Sequence, residues 1–329
     1  MQRPAFQITI DTEGDDAWAR PSPGTTRNAR YLPRFQRLCE THGMKPTYLV
    51  NWEMVNDGAF RELGHDVLAR RTAEIGMHLH AWDSPPLDPL TSDDAMQHPY
   101  LIDYPEDRMR EKVGMLTDRL EDVFAVKMVS HRAGRWGFNA AYARILADHG
   151  YRVDCSVTPH RSWRNVPGAE GGPGGPDYTR FPDRPFWYEF GSGRLLEIPV
   201  STVRVEAPFF LRGLRRLAGR PAHRVLWLRP NGHNLTDMLY LLDRAEREGR
   251  DYVQFVLHSS ELMPGGSPTF RTGDQIERLY DHLDILFTHA SACFIGGTLG
   301  EYADAYVHEG LGAEAPPDGV DVERTAMRA

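Results

Sequence analysis

The sequence predicts an α/β protein, an irregular (β/α)7-8 barrel, on three observations. Short β-rich runs alternate with longer amphipathic ones, the pattern of βα repeats around a parallel sheet. About eight such β-rich runs can be picked out, the number a barrel needs. Five of them end in polar groups suited to chemistry, and in α/β barrels function collects at the C-terminal edge of the strands.

The elements follow in order. FQITID, from Phe6, is the first strand, and the helical stretch YLPRFQRLCETHG after it stops at Gly43, as at a C-cap glycine. PTYLVN from Pro46, a helix ending near Thr72, and EIGMHLH from Glu74 come next. A charged helix from Pro105 leads to VKMVSH from Val126, and FNAAYARILADHG leads to YRVDCSV. LLEIPVSTV is read as one strand, a helix starts at Leu235, and YVQFVLHS starts at Tyr252. A last helix from Gln275 reaches the strand in ACFIGGTL.

Composition narrows the classes. Apolar residues make up 41% of the 329, enough for one large core, and 26% charged residues exclude wholesale disorder. A formal charge of -8 argues against nucleic acid as a partner. Three widely spaced cysteines (Cys39, Cys155, Cys293) make neither a disulfide framework nor a zinc knuckle, and no run is apolar enough for a signal peptide or a membrane span. The expectation is a cytoplasmic protein with a single domain over 1–307, an inserted Gly/Pro-rich loop at about 159–194, and a polar, frayed tail over 308–329.

The chemistry-bearing strand ends are Asp11 with Glu13, His78 with His80, His131 with Arg132, Asp154, and His258. The two-residue period of a strand puts Asp11 and Glu13 on one side, and His78 and His80 on one side. Two imidazoles so placed can reach one divalent ion with a carboxylate as third ligand, leaving a position open as in catalytic zinc sites. Taken alone, the H-x-H pair is equally well two hydrogen-bonded core histidines.

In this order the residues resemble the polysaccharide deacetylases, the NodB-like carbohydrate esterases. TIDTE matches their first motif, a strand ending in two acidic residues, here Asp11 and Glu13. EIGMH matches the second, SHRAGRWG the Arg-x-x-Gly element of the third, and FVLHSSEL the last, a hydrophobic strand ending at His258. The resemblance runs from Phe6 to Leu299. Thr12 separates the two acids, Trp82 stands where the second histidine usually falls so that His80 takes its place, and Ala133 replaces the usual proline.

The resemblance implies a barrel of the polysaccharide deacetylase type and a metal-dependent hydrolase that removes an N-linked acetyl or other acyl group from an amino sugar or glycan precursor. Glu13, His78 and His80 would hold one divalent ion, zinc by preference. Asp11 would act as general base or as a further metal ligand, Arg132 would keep it ionised, and His258 would act as general acid. Asp15, Trp18, Trp82 and Trp136, each close to a strand-end motif, are the expected substrate contacts, as is Asp154, which is also a candidate to orient Arg132 or His258. Asp15 reads more readily as a solvated loop charge, and the tryptophans equally well as packing over the barrel mouth. Two other readings stay open: an amidase acting on a non-sugar amide, and a non-catalytic carbohydrate-binding barrel. The basic segment 207–229, with Arg212, Arg215, Arg216, Arg220, Arg224 and Arg229, suggests a phosphate-bearing substrate, peripheral membrane contact, or a solvated helix.

Overall fold

The structure, a computed structural model, describes residues 3–19, 24–191, 193–206, 217 and 223–308. Its first half is a run of βα units: β1 (Ala5–Thr12), α1 (Leu32–Thr41), β2 (Pro46–Val50), α2 (Trp52–Val55), α3 (Gly58–Arg70) and β3 (Glu74–Leu79). Then come α4 (Asp94–Gln97), α5 (Glu106–Phe124), β4 (Ser130–Ala133), α6 (Ala140–Asp148) and the short β5 (Val153–Asp154). β6 (Phe186–Phe190), β7 (Gly193–Glu197), β8 (Thr202–Glu206) and β9 (His223–Trp227) precede α7 (Leu235–Arg247) and β10 (Tyr252–His258). α8 (Gly273–Cys293), β11 (Ile295–Gly296) and α9 (Leu299–His308) end the described chain.

The main sheet runs β10-β1-β2-β3-β4-β5-β7-β6, with β11 also against β1, and every pairing but β6–β7 is parallel. It curls into a barrel-like wall whose edge strands, β10 and β6, are not joined by a ladder. Residues beyond β7 bridge the gap instead: Leu228 donates to the Ser201 carbonyl, Val256 donates to that of Leu228, and the Gln254 N–H reaches Ser201 Oγ. The irregular barrel expected from the sequence is the fold observed.

Strands buried on both faces explain why these runs read as nearly continuous hydrophobic sequence. In β1, Phe6, Ile8 and Ile10 pack under the helices, while Gln7, Thr9 and Asp11 alternate onto the interior side. The interior is apolar at its floor, where Leu49, Val153, Cys155, Leu196, Ile198 and Tyr252 meet Leu299, Tyr302 and Tyr306 of α9. Above that floor it turns polar, and the site is built there. Helix ends follow local chemistry: Asp57 caps α3 by accepting from the Phe60 N–H, and Thr272 with Gln275 forms a capping box on α8.

Two segments depart from expectation. The stretch read as a loop over 159–194 contains β6, which adds antiparallel to β7. The segment LLEIPVSTV, read as one strand, is divided between β7 and β8, and the end of the basic segment is not helix but β9, paired antiparallel with β8. Of that segment, Arg212, Arg215, Arg216 and Arg220 lie outside the described residues, as does the tail after His308. No described helix is long and apolar enough to cross a membrane.

Candidate active site

The C-terminal ends of β1, β3, β4 and β10 converge on one cleft. Parallel partners in register point the same way, so the pairings Asp11↔His258 and His78↔Arg132 send four of the expected residues inward together. Glu13 Oε2 lies 3.4 Å from His78 Nε2 and 3.1 Å from His80 Nε2. These three residues are buried, and their ligand atoms all fall within 4.8 Å of one another. The far nitrogen of each imidazole is engaged elsewhere: His78 Nδ1 donates to the Arg132 carbonyl at 2.9 Å, and His80 Nδ1 sits 3.2 Å from Asp83 Oδ2. That leaves both Nε2 lone pairs aimed at Glu13, with the outer partners that metal-binding histidines normally have. The donor set therefore suits a divalent cation.

Packing holds this arrangement from behind. Trp82 stacks on His80 with centroids 4.5 Å apart. Gly134 approaches so closely that an added Cβ would lie 2.4 Å from His80 Cδ2 and 2.6 Å from the Leu79 carbonyl, so only glycine fits. Ser259 exchanges hydrogen bonds with the Glu13 backbone and fixes β1 to the end of β10.

Beside the carboxylate–imidazole group lies a second unit. Arg132, fully buried, donates to Asp11 Oδ1 at 2.6 Å, Thr9 Oγ1 at 2.7 Å, Gln254 Oε1 at 2.8 Å and the Cys155 carbonyl at 3.1 Å. A buried guanidinium is tolerable only when its donors are satisfied in this way. Burial alone raises the Asp11 carboxyl, but Arg132, then His78 and His258, outweigh it and hold Asp11 below the ordinary carboxylate range. Burial likewise opposes ionisation of Glu13, and His258, His78 and His80 drive it well below that range.

His258 completes the ring. Its Nε2 lies 3.6 Å from both Asp11 Oδ2 and Glu13 Oε1. Its Nδ1 faces Arg229 Nη2 at 3.0 Å and Glu261 Oε2 at 3.3 Å, and Trp18 covers the ring at 4.9 Å.

The cleft, of about 270 Å³, has aromatic walls: Trp18, Trp82, Tyr100, Trp136 and Trp163. Arg135 and Trp136, which follow β4, both take positive φ (55° and 62°), unusual for bulky residues and the kind of strain found where a chain is held for a task.

Asp15 does not face this cleft. Its carboxylate is taken up by Thr25 Oγ1, the Arg27 N–H and Nε, and the Asn28 N–H and Nδ2, so it organises the loop after β1. Asp154 also points away. Since Arg132 faces inward, its neighbour His131 and the in-register Asp154 alternate outward, where they pair at 2.6 Å beneath α6. Asp154 thus orients neither Arg132 nor His258. Asp83, Tyr100 and Arg135 belong to the site and were not singled out from sequence. The position three residues after His80 in HLHAWD was the one signal for Asp83.

No known family model matches the sequence, and neither does any curated protein. Solved structures do. One titled a "putative polysaccharide deacetylase" from Mycobacterium smegmatis superposes with a TM-score of 0.56 at 17% identity, covering 95% of this chain and 94% of that one. A "putative glycoside hydrolase/deacetylase" from Parabacteroides distasonis gives 0.57 at 12%, over 92% of this chain and 71% of that one. A 4-alpha-glucanotransferase from Thermococcus litoralis gives 0.54 at 13%, over 92% of this chain but 40% of that one. Similarity at this level speaks for architecture rather than activity, and the architecture it identifies is the NodB-like polysaccharide deacetylase fold.

Proposed function

We propose that this chain, one domain over residues 1–307, is a metal-dependent hydrolase that removes an N-linked acetyl group from an amino sugar or glycan precursor. The observation behind it is the convergence, in one aromatic-walled cleft, of Glu13, His78 and His80 with the Asp11–Arg132 pair and His258. Glu13, His78 and His80 would hold one divalent ion, zinc in this reading, and the chemistry it would supply is polarisation of the acyl carbonyl and activation of water near neutral pH.

The chain's own groups move the protons. Asp11, kept ionised by Arg132, takes the proton from the attacking water. His258, with the Glu261 carboxylate beside its Nδ1 to stabilise the imidazolium, gives its Nε2 proton to the departing amine. The 3.6 Å approach of Asp11 Oδ2 to His258 Nε2 then lets the proton return, which resets both groups. Trp18, Trp82 and Trp136 offer faces for a sugar ring.

A fold shared with a glucanotransferase leaves glycoside chemistry to be weighed. That chemistry needs a carboxylic acid with a raised pKa. Asp11 and Glu13, the two carboxylates lining the cleft among the described residues, are both held low, which favours amide hydrolysis.

Elemental analysis of the purified chain tests this reading, with about one divalent ion expected per chain and none after His78→Ala with His80→Ala. Absence of metal after reconstitution, or no acetate from any N-acetylated sugar by the metal-loaded chain, would sink it. Asp83→Asn is expected to weaken metal affinity about 10- to 100-fold, read by competition with a chelator. An unchanged affinity would mean that the His80–Asp83 contact does not serve the ion.

A further inference from the structure

We infer that a second cavity, beside the cleft, is a subsite for an oxyanion group of the substrate, a carboxylate or a phosphate. It measures about 440 Å³, and Trp163 and Arg229 line both it and the catalytic cleft. The two cavities therefore adjoin, with Trp163 and Arg229 between them.

Three arginines border this cavity, and two are answered. Arg224 pairs with Asp237 through both terminal nitrogens, at 3.2 and 2.9 Å. Arg229 meets Glu261 at 3.3 Å and His258 Nδ1 at 3.0 Å. Arg161 differs. Among the described residues its guanidinium forms no ion pair and donates no hydrogen bond. Its guanidinium instead lies 4.9 Å from the ring centre of Trp163 and 4.3 Å from that of Trp227. Those two rings are perpendicular to each other, at 79°, and Trp163 stacks on Trp136 of the catalytic cleft.

The physical consequence is specific. Aromatic faces fix the plane of a guanidinium but use none of its five N–H donors. Arg161 is half-buried, and Arg229 adds a like charge nearby. A cation in that position, with its donors unused and its orientation fixed, is prepared for a planar or tetrahedral oxyanion bound through two parallel hydrogen bonds. The ordering cost is met before the ligand arrives. A sugar whose amide lies against Asp11 and His258 would pass its ring along Trp136 and Trp163 and set an acidic substituent at Arg161. This placement of the rest of the substrate rests on the deacetylase reading, whereas binding in the cavity does not.

Calorimetry on the metal-loaded full chain tests it, with D-glucuronate, glucose 1-phosphate and D-glucose as probes. The parent should bind at least one anion more tightly than glucose, and which one it prefers separates carboxylate from phosphate. Arg161→Met should weaken that anion about 10- to 100-fold, the loss of a charge-assisted pair, and leave glucose unchanged. Arg161→Lys keeps the charge but not the fork and should weaken it several-fold, so a poorly folded Met variant does not block the test. Anion affinity equal to that for glucose in the parent, or unchanged in both variants, overturns the proposal. The two readings fail separately. If the parent releases no acetate while Arg161 governs anion binding, the deacetylase reading falls and the subsite stands. Acetate release with anion binding indifferent to Arg161 gives the reverse.

Discussion

Asp11→Asn is expected to lower turnover by about 10²- to 10⁴-fold, the contribution of a general base, with the metal content unchanged. The substitution is close to isosteric. Asparagine Oδ1 can still accept from Arg132 Nη1, and Arg132 keeps its bonds to Thr9, Gln254 and the Cys155 carbonyl, so the barrel interior stays assembled. What is lost is the anion that takes the proton from water. Glu13 cannot substitute, because both histidines face its carboxylate. Steady-state acetate release together with elemental analysis decides the matter. Turnover within a few-fold of the parent would remove Asp11 from the chemistry, and loss of metal would make it a ligand instead.

Arg132→Met is expected to be the most damaging substitution for the fold. Breaking a buried ion pair from one side costs about 3–5 kcal/mol, because the partner charge and the other acceptors lose their donor. Here those acceptors are Asp11 Oδ1, Thr9 Oγ1, Gln254 Oε1 and the Cys155 carbonyl. For a chain of this size the melting temperature should fall on the order of 10 °C. A second effect separates the catalytic role of Arg132 from the structural one. With the guanidinium gone, burial dominates and the Asp11 carboxyl moves upward. Since the base must be ionised to work, the acid limb of kcat/KM shifts to higher pH in whatever protein remains folded. A drop in melting temperature with no movement of that limb would leave Arg132 a structural residue only.

Much of the site was legible because strand geometry is rigid. A period of two forces Asp11 with Glu13, and His78 with His80, onto common faces wherever the strand runs, and parallel register brings His258 and Arg132 to them. The same rule explains the failure at Asp154. Adjacent residues on a strand point oppositely, so His131 and Arg132 could not both enter the cleft, and the in-register partner of His131 follows it outward. Residues on loops were harder. The destination of Asp15 depends on how the loop turns back to bring Thr25, Arg27 and Asn28 around it. Asp83 likewise depends on a turn held by Lys112, whose ammonium donates to the Ser84 and Pro86 carbonyls from α5. β9 was hidden by composition: HRVLW has strand residues, but its arginine-rich approach reads as helix, and its partner β8 is joined to it only in three dimensions.

The wall is unlatched between β10 and the residues that follow β7. In a fully closed barrel the strand number and stagger together fix the radius, so the mouth can change width only by changing the whole ring. Here the circumference is completed by residues 198–201 and Leu228 through individual hydrogen bonds rather than by a ladder. His258 stands at the end of the strand bordering that seam, and Glu13, His78 and His80 stand at the ends of β1 and β3, further along the same continuous sheet. The spacing of His258 from Glu13 and the two histidines is set by the continuous β10-β1-β2-β3 ladder, whereas the bridge sets how far the wall beyond β7 stands from β10. A chain built this way can refit the far side of its mouth to a bulkier acyl group or a different ring by altering the bridge, with His258 and the candidate ligands left in register.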